Sequence, residues 1–117
     1  MLQMMRTPAM GLAQAMVLGW MLVAAAPPAL AQDAQIGRQK AQACAVCHGA
    51  NGLSTQPDAP NLAGQPALYI SSQLRAYRSG ERKHEVMAVM AKPLSDEDIG
   101  HLAAWFSSIR IEAHLPR

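Results

Sequence analysis

A chain of 117 residues with ten Lys plus Arg against eight Asp plus Glu, a formal net charge of +2, has room for one domain and lacks the charge excess that grips nucleic acid. Aromatic residues make up 4% of the chain and form no clustered stacking platform, which also argues against single-stranded nucleic acid. Only two cysteines are present, so thiol chemistry is confined to one place.

The chain opens with Met1 to Thr7, whose only charge is Arg6, followed by an uncharged, Ala/Met/Leu/Val-rich run from Pro8 to Ala31. This is the form of a secretory signal peptide. Pro27-Pro28 breaks the apolar helix, and Ala29-Leu30-Ala31 supplies a small-x-small site, with cleavage expected between Ala31 and Gln32. The run is nearly long enough to span a bilayer, so an uncleaved anchor is the alternative. The expected organisation is a signal peptide at 1–31 and one domain at 32–117, exported to the periplasm with no membrane span after processing. Loss of Arg6 would leave a net charge of about +1. A domain this short buries little and often recruits a metal or cofactor to complete its core.

From Asp33 to Cys44 an acidic first turn and the absence of proline predict a short amphipathic helix, with Ile36, Lys40 and Ala43 to Cys44 along one side. Gly37 costs about 1 kcal/mol relative to Ala inside a helix, and close approach of another helix would explain it. Next comes Cys44-Ala45-Val46-Cys47-His48, a Cys-x-x-Cys-His run with the spacing of a covalent c-type haem attachment site. Two thiols about one turn apart can each add to a porphyrin vinyl group, and the next imidazole then falls beneath the iron. A redox dithiol would sit in a βαβ pattern and a zinc site would need two further ligands nearby; neither context is present. In an oxidising compartment thioether bonds would protect both cysteines.

Residues 49–65 are rich in Gly, Pro, Asn and Ser and predict a loop in which Gly49 and Gly52 allow positive φ or close backbone approach. A ligating histidine normally donates its other ring N–H to a carbonyl, and a proline-containing segment can present one rigidly; Pro60 is the candidate, Pro57 the second choice. Pro66 opens a predicted helix that ends near Ser79, with Gly80 just beyond and a stripe at Leu68 or Tyr69, Ser72 or Gln73, Ala76 or Tyr77. The segment Arg82 to Pro93 holds Met87 and Met90, the two methionines outside the leader, and so any thioether ligand for the far side of an iron; His84 is a rival. Arg75, Arg78, Arg82, Lys83 and Lys92 against Glu81 and Glu85 give this region a positive face, either ordinary solvated surface or a guide for an acidic partner. Ser95 followed by Asp96, Glu97 and Asp98 predicts a capped start to a last helix, with Ile99, Leu102, Trp105 or Phe106 and Ile109 at helical spacing to about Arg110. His101 is expected at the surface or its boundary.

The expected fold is therefore all-α, and the motifs together resemble a class I c-type cytochrome, the small bacterial kind whose fold also recurs as each half of dihaem cytochromes. The resemblance rests on Cys44 to Gly49, Pro60-Asn61-Leu62-Ala63-Gly64-Gln65, Met87, Leu94 to Ile99, and Leu102 to Trp105. It implies short helices wrapped around one covalent haem c, with the first and last helices crossing where Gly37 meets Leu102 and Trp105. It also implies Cys44 and Cys47 as thioether sites, His48 as proximal ligand, the Pro60 carbonyl as its support, and Met87 rather than Met90 as distal ligand, in a loop. A haem with both axial positions filled suits one-electron transfer between redox protein partners, such as a quinol-oxidising or dehydrogenase complex and a terminal oxidase or reductase. That would make the protein a monomeric periplasmic carrier rather than an enzyme. Alternatives are a haem subunit fixed in a larger membrane-bound oxidoreductase, or a small peroxidase or gas-binding protein if the methionine is labile.

Overall fold

The computed structural model describes residues 29–117, and all regular structure there is helical. The expected leader lies outside the described residues except for its last three, which form the first turn of α1 (Ala29–Lys40). A 3-10 turn (Ala41–Ala43) leads into α2 (Ala45–His48), and after a long loop come α3 (Ala67–Ser79), α4 (Glu85–Ala91) and α5 (Asp96–Ser108). No helix among the described residues is long and apolar enough to cross a membrane.

The first helix ends four residues before the expected Cys44. The chain tightens into i→i+3 bonding there, Cys44 N–H donating to the Ala41 carbonyl at 3.0 Å, which turns Ala41 into the core and Cys44 toward a cavity. The α3 helix is entered through Pro66 and stopped by Gly80 at φ 83°, as the turn chemistry predicts. Its inward stripe differs from the expected one: Ile70 is buried and Leu74 packs beside it, Tyr69, Gln73 and Tyr77 face the cavity, and Leu68 is 80% exposed. The methionines sit on a helix instead of in a loop, because His84 Nδ1 accepts the Met87 N–H at 3.2 Å and caps α4. At the start of α5 the Ser95 hydroxyl accepts the Asp98 N–H and the Asp98 carboxylate accepts the Ser95 N–H, a complete capping box.

The chain closes on itself where α1 crosses α5. A Cβ on Gly37 would overlap the carbonyl oxygen of His101 and come within 2.8 Å of Trp105 Cβ. The expected Trp105 contact is present, but its companion is the His101 backbone; Leu102 turns inward instead and is 2% exposed. His101 itself is partly buried at this boundary. Lys40 reaches Asp98 at 2.6 Å, tying the end of α1 to the start of α5. That amine, together with the cap at Ser95, holds the Asp98 carboxyl well below the usual carboxylate range.

Behind the crossing the core is thin. Of the eight hydrophobic residues buried among the described residues four are alanines (Ala41, Ala63, Ala91, Ala103), leaving Ile70, Ile99, Leu102 and Phe106 as the large ones. Gly37→Val must push the helices apart and should cost about 1–3 kcal/mol, read as a lower melting temperature of the cofactor-loaded protein. Because the Asp98 pKa is depressed in the folded state, its contribution is present above the unfolded carboxylate pKa of about 4 and lost as pH falls through the lower folded value. Asp98→Asn should therefore lower the melting temperature at pH 7, with the gap to the unmodified protein closing in strong acid.

Candidate haem site

The long loop is folded back on the Cys-x-x-Cys-His turn by its own polar groups. Ser54 Oγ donates to the Cys47 carbonyl at 2.8 Å, Gln56 Nε2 to the Val46 carbonyl at 3.0 Å, and Ser54 N–H to Asn61 Oδ1 at 2.7 Å. Gly52, at φ 72°, lets its carbonyl accept from both Leu62 and Ala63, and any Cβ there would press on the Phe106 ring. Gly64 N–H then donates to the Phe106 carbonyl at 2.9 Å, fastening the end of the loop to α5.

This folding brings the Pro60 carbonyl 2.8 Å from Nδ1 of His48, which is 8% exposed. Pro57 makes no such contact. A carbonyl oxygen can only accept, so Nδ1 is the protonated nitrogen and neutral His48 keeps a lone pair on Nε2. No hydrogen bond of the described residues engages that nitrogen, and His48 borders a cavity of about 560 Å³. That volume lies within the range of about 300–1,000 Å³ typical of small-molecule and cofactor pockets.

Cys44 and Cys47, both partly buried and neither in a disulfide, share this wall with His48. Burial pushes the Cys44 thiol above its ordinary pKa, favouring the uncharged form. The floor is apolar, formed by Ile70, Leu74, Leu94, Leu102 and Phe106. From the α4 side come Met87, Met90 and His84. Met87 is partly buried, Met90 is 38% exposed, and His84 is exposed and already engaged as the cap of α4. The structure thus gathers Cys44, Cys47, His48, Pro60, Met87 and Met90 around one space. Sequence reasoning missed Tyr69, Gln73 and Tyr77 as cavity residues, although each is one of the two alternatives it offers for the α3 stripe.

These residues fit a haem: an apolar slot, two thiols one turn apart, and a buried imidazole with a free lone pair. Among the described residues no three His, Cys, Asp or Glu side chains converge on a bare metal ion. The positive face near the site is smaller than the local sequence suggested. Asp96 pairs with Arg78 at 2.6 Å and Arg75 at 3.5 Å, while Arg82 donates to Gln73 and stacks over Tyr77.

Residues 34–110 match the family model described as Cytochrome c. Cytochrome c-554(548) of Halomonas halodenitrificans is 47% identical over 81 residues, covering 67% of this chain and 98% of that protein. Cytochrome c4 of Pseudomonas aeruginosa is 41% identical over 78 residues, but the match spans only 39% of its length. The thiosulfate dehydrogenase electron acceptor of Thiomonas intermedia is 39% identical over 88 residues, 74% of this chain and 36% of that one. In three dimensions the chain is similar to reduced recombinant cytochrome c4 from Pseudomonas stutzeri, with a TM-score of 0.63 and 38% identity over 66% of this chain and 45% of the other. It therefore spans nearly the whole of one relative and less than half of the others.

Proposed function

Because the chain belongs to the cytochrome c family, electron carriers with covalent haem c rather than enzymes, we propose that it is a periplasmic one-electron shuttle whose iron is held between His48 and Met87. The observation that carries this reading is the commitment of His48 Nδ1 to the Pro60 carbonyl, which leaves Nε2 as the lone-pair donor at a cavity with methionines on its α4 side. Haem supplies an iron centre that gains and loses one electron. Cys44 and Cys47 would hold it through thioether bonds, and His48 through Nε2 and Met87 through its sulfur would ligate the iron. Met87 is favoured over Met90 because it is the more buried of the two.

An iron ligated by both His48 and Met87 would suit electron transfer rather than binding of oxygen or a substrate, leaving turnover to the partners. Methionine ligation favours the ferrous state and so a higher potential than two histidines would give. The donor we assign is a dehydrogenase or quinol-oxidising complex, in keeping with similarity to an electron acceptor of thiosulfate dehydrogenase, and the acceptor a terminal oxidase or reductase. The 1–31 leader supports export, and the shuttle is expected to be a monomer.

Acidified organic solvent should leave the colour on the polypeptide, with a mass one haem above that of the chain beginning at Gln32; a haem that washes out overturns the attachment. Replacing His48 should also unfold much of the protein, since ligand binding and folding are coupled. Met87→Ala should abolish the weak red-region sulfur-to-iron band of the ferric protein and lower its potential, while Met90→Ala should leave both in place. Reversed results would assign the iron to Met90.

A further inference from the structure

The helix carrying Met87 is weakly held by its own packing. It has seven residues, and among the described helices its substantial contact is with α3 alone. Val86 and Val89 point outward, 53% and 70% exposed, and only Ala91 is buried. The far end of α4 is held by the burial of Ala91, by Leu94 packing on the core, and by a polar tie. Arg78, in the last turn of α3, donates from one guanidinium nitrogen to the Leu94 carbonyl at 2.8 Å and from the other to Asp96 Oδ1 at 2.6 Å. Leu94 N–H in turn donates to the Ala91 carbonyl at 3.1 Å, so the guanidinium grips the turn that leaves α4 and the first residue of α5 together.

The side chain of Arg78 is 29% exposed, against 49% for Arg75, which approaches Asp96 only at 3.5 Å and does not reach Leu94. Hydrogen bonding from Arg78, more than that from Arg75, holds the Asp96 carboxyl below its ordinary range. A planar fork with several donors in fixed geometry can satisfy a carbonyl and a carboxylate at once; an ammonium on a flexible stem offers a point charge instead.

We propose that Arg78 is the positioning residue of the distal half of the haem site, holding the exit of α4 against α3 and thereby the depth at which Met87 enters the cavity. This rests on Met87 as the distal ligand. Arg78 does not line the cavity, so it acts through the backbone it holds. Without it α4 would keep its packing on α3 and the burial of Ala91 but lose the polar tie at its exit, and Met87 would give up ligation before the rest of the protein unfolds.

The test compares two melting curves on the same ferric holoprotein: loss of the red-region sulfur-to-iron band, and loss of far-ultraviolet helical dichroism. Arg78→Gln should widen the gap between them by at least about 5 °C, the scale of one lost charge-assisted bond in a domain of this size. Arg75→Gln should leave the gap as in the unmodified protein. Arg78→Lys, which also serves if the Gln variant does not fold, should open an intermediate gap. A purely structural role would move both curves together and overturns the proposal, as does a Lys variant whose gap equals that of the unmodified protein. Absence of the band in the unmodified protein would instead remove Met87 as ligand, and this inference with it; a band present but unmoved in Arg78→Gln removes this inference alone.

Discussion

The hydrogen bond between His48 and the Pro60 carbonyl ties the imidazole of the Cys-x-x-Cys-His turn to the loop that follows it. On one side it reaches the Cys-x-x-Cys-His turn, and through the 3-10 turn that precedes it, α1. On the other it reaches a loop whose last turn is bonded to the Phe106 carbonyl of α5. Since α1 and α5 cross at Gly37, the imidazole sits in a closed circuit of backbone, and its tautomer and orientation are set by the whole fold.

That circuit encloses little apolar matter of its own. A core in which half the buried hydrophobic side chains are alanine leaves the large side chains facing a cavity as well as one another. Burial of apolar area is the main favourable term in folding, and a chain of this length is poor in it. A macrocycle attached in that cavity would complete the interior, so that iron ligation and folding would be coupled.

What could be read in the sequence was whatever a local rule fixes. The haem motif, the Ser95 capping box, the Pro66 start and the Gly80 stop all depend on neighbours within four residues, and the glycine at position 37 announced a close crossing by its misfit alone. The α4 helix escaped because seven residues are too few for a periodicity, and its cap is a histidine instead of a usual capping residue. In α3 the sequence left the stripe open between Leu68 or Tyr69, Ser72 or Gln73, and Ala76 or Tyr77, while the core uses Ile70 and Leu74; a helix bordering both a core and a cofactor pocket has two inward faces, and amphipathic patterning identifies only one. The charge of the Arg75 to Lys92 face was overcounted because Asp96, which pairs with two of its arginines, lies outside that window.

The crossing at Gly37 also has a topological side. The helices it joins stand at the two ends of the described chain, so these contacts span almost the longest sequence separation the domain permits. Loop-closure entropy rises only slowly with length, by about 0.6 kcal/mol per doubling, and a single well-fitted contact between distant helices can offset it. In kinetic terms the cost is greater, since contacts between distant segments form only after the chain between them has been brought together. The glycine that lets two backbones touch thus sits at the contact that closes the chain: a side chain there would obstruct the encounter that turns an open string of short helices into a ring.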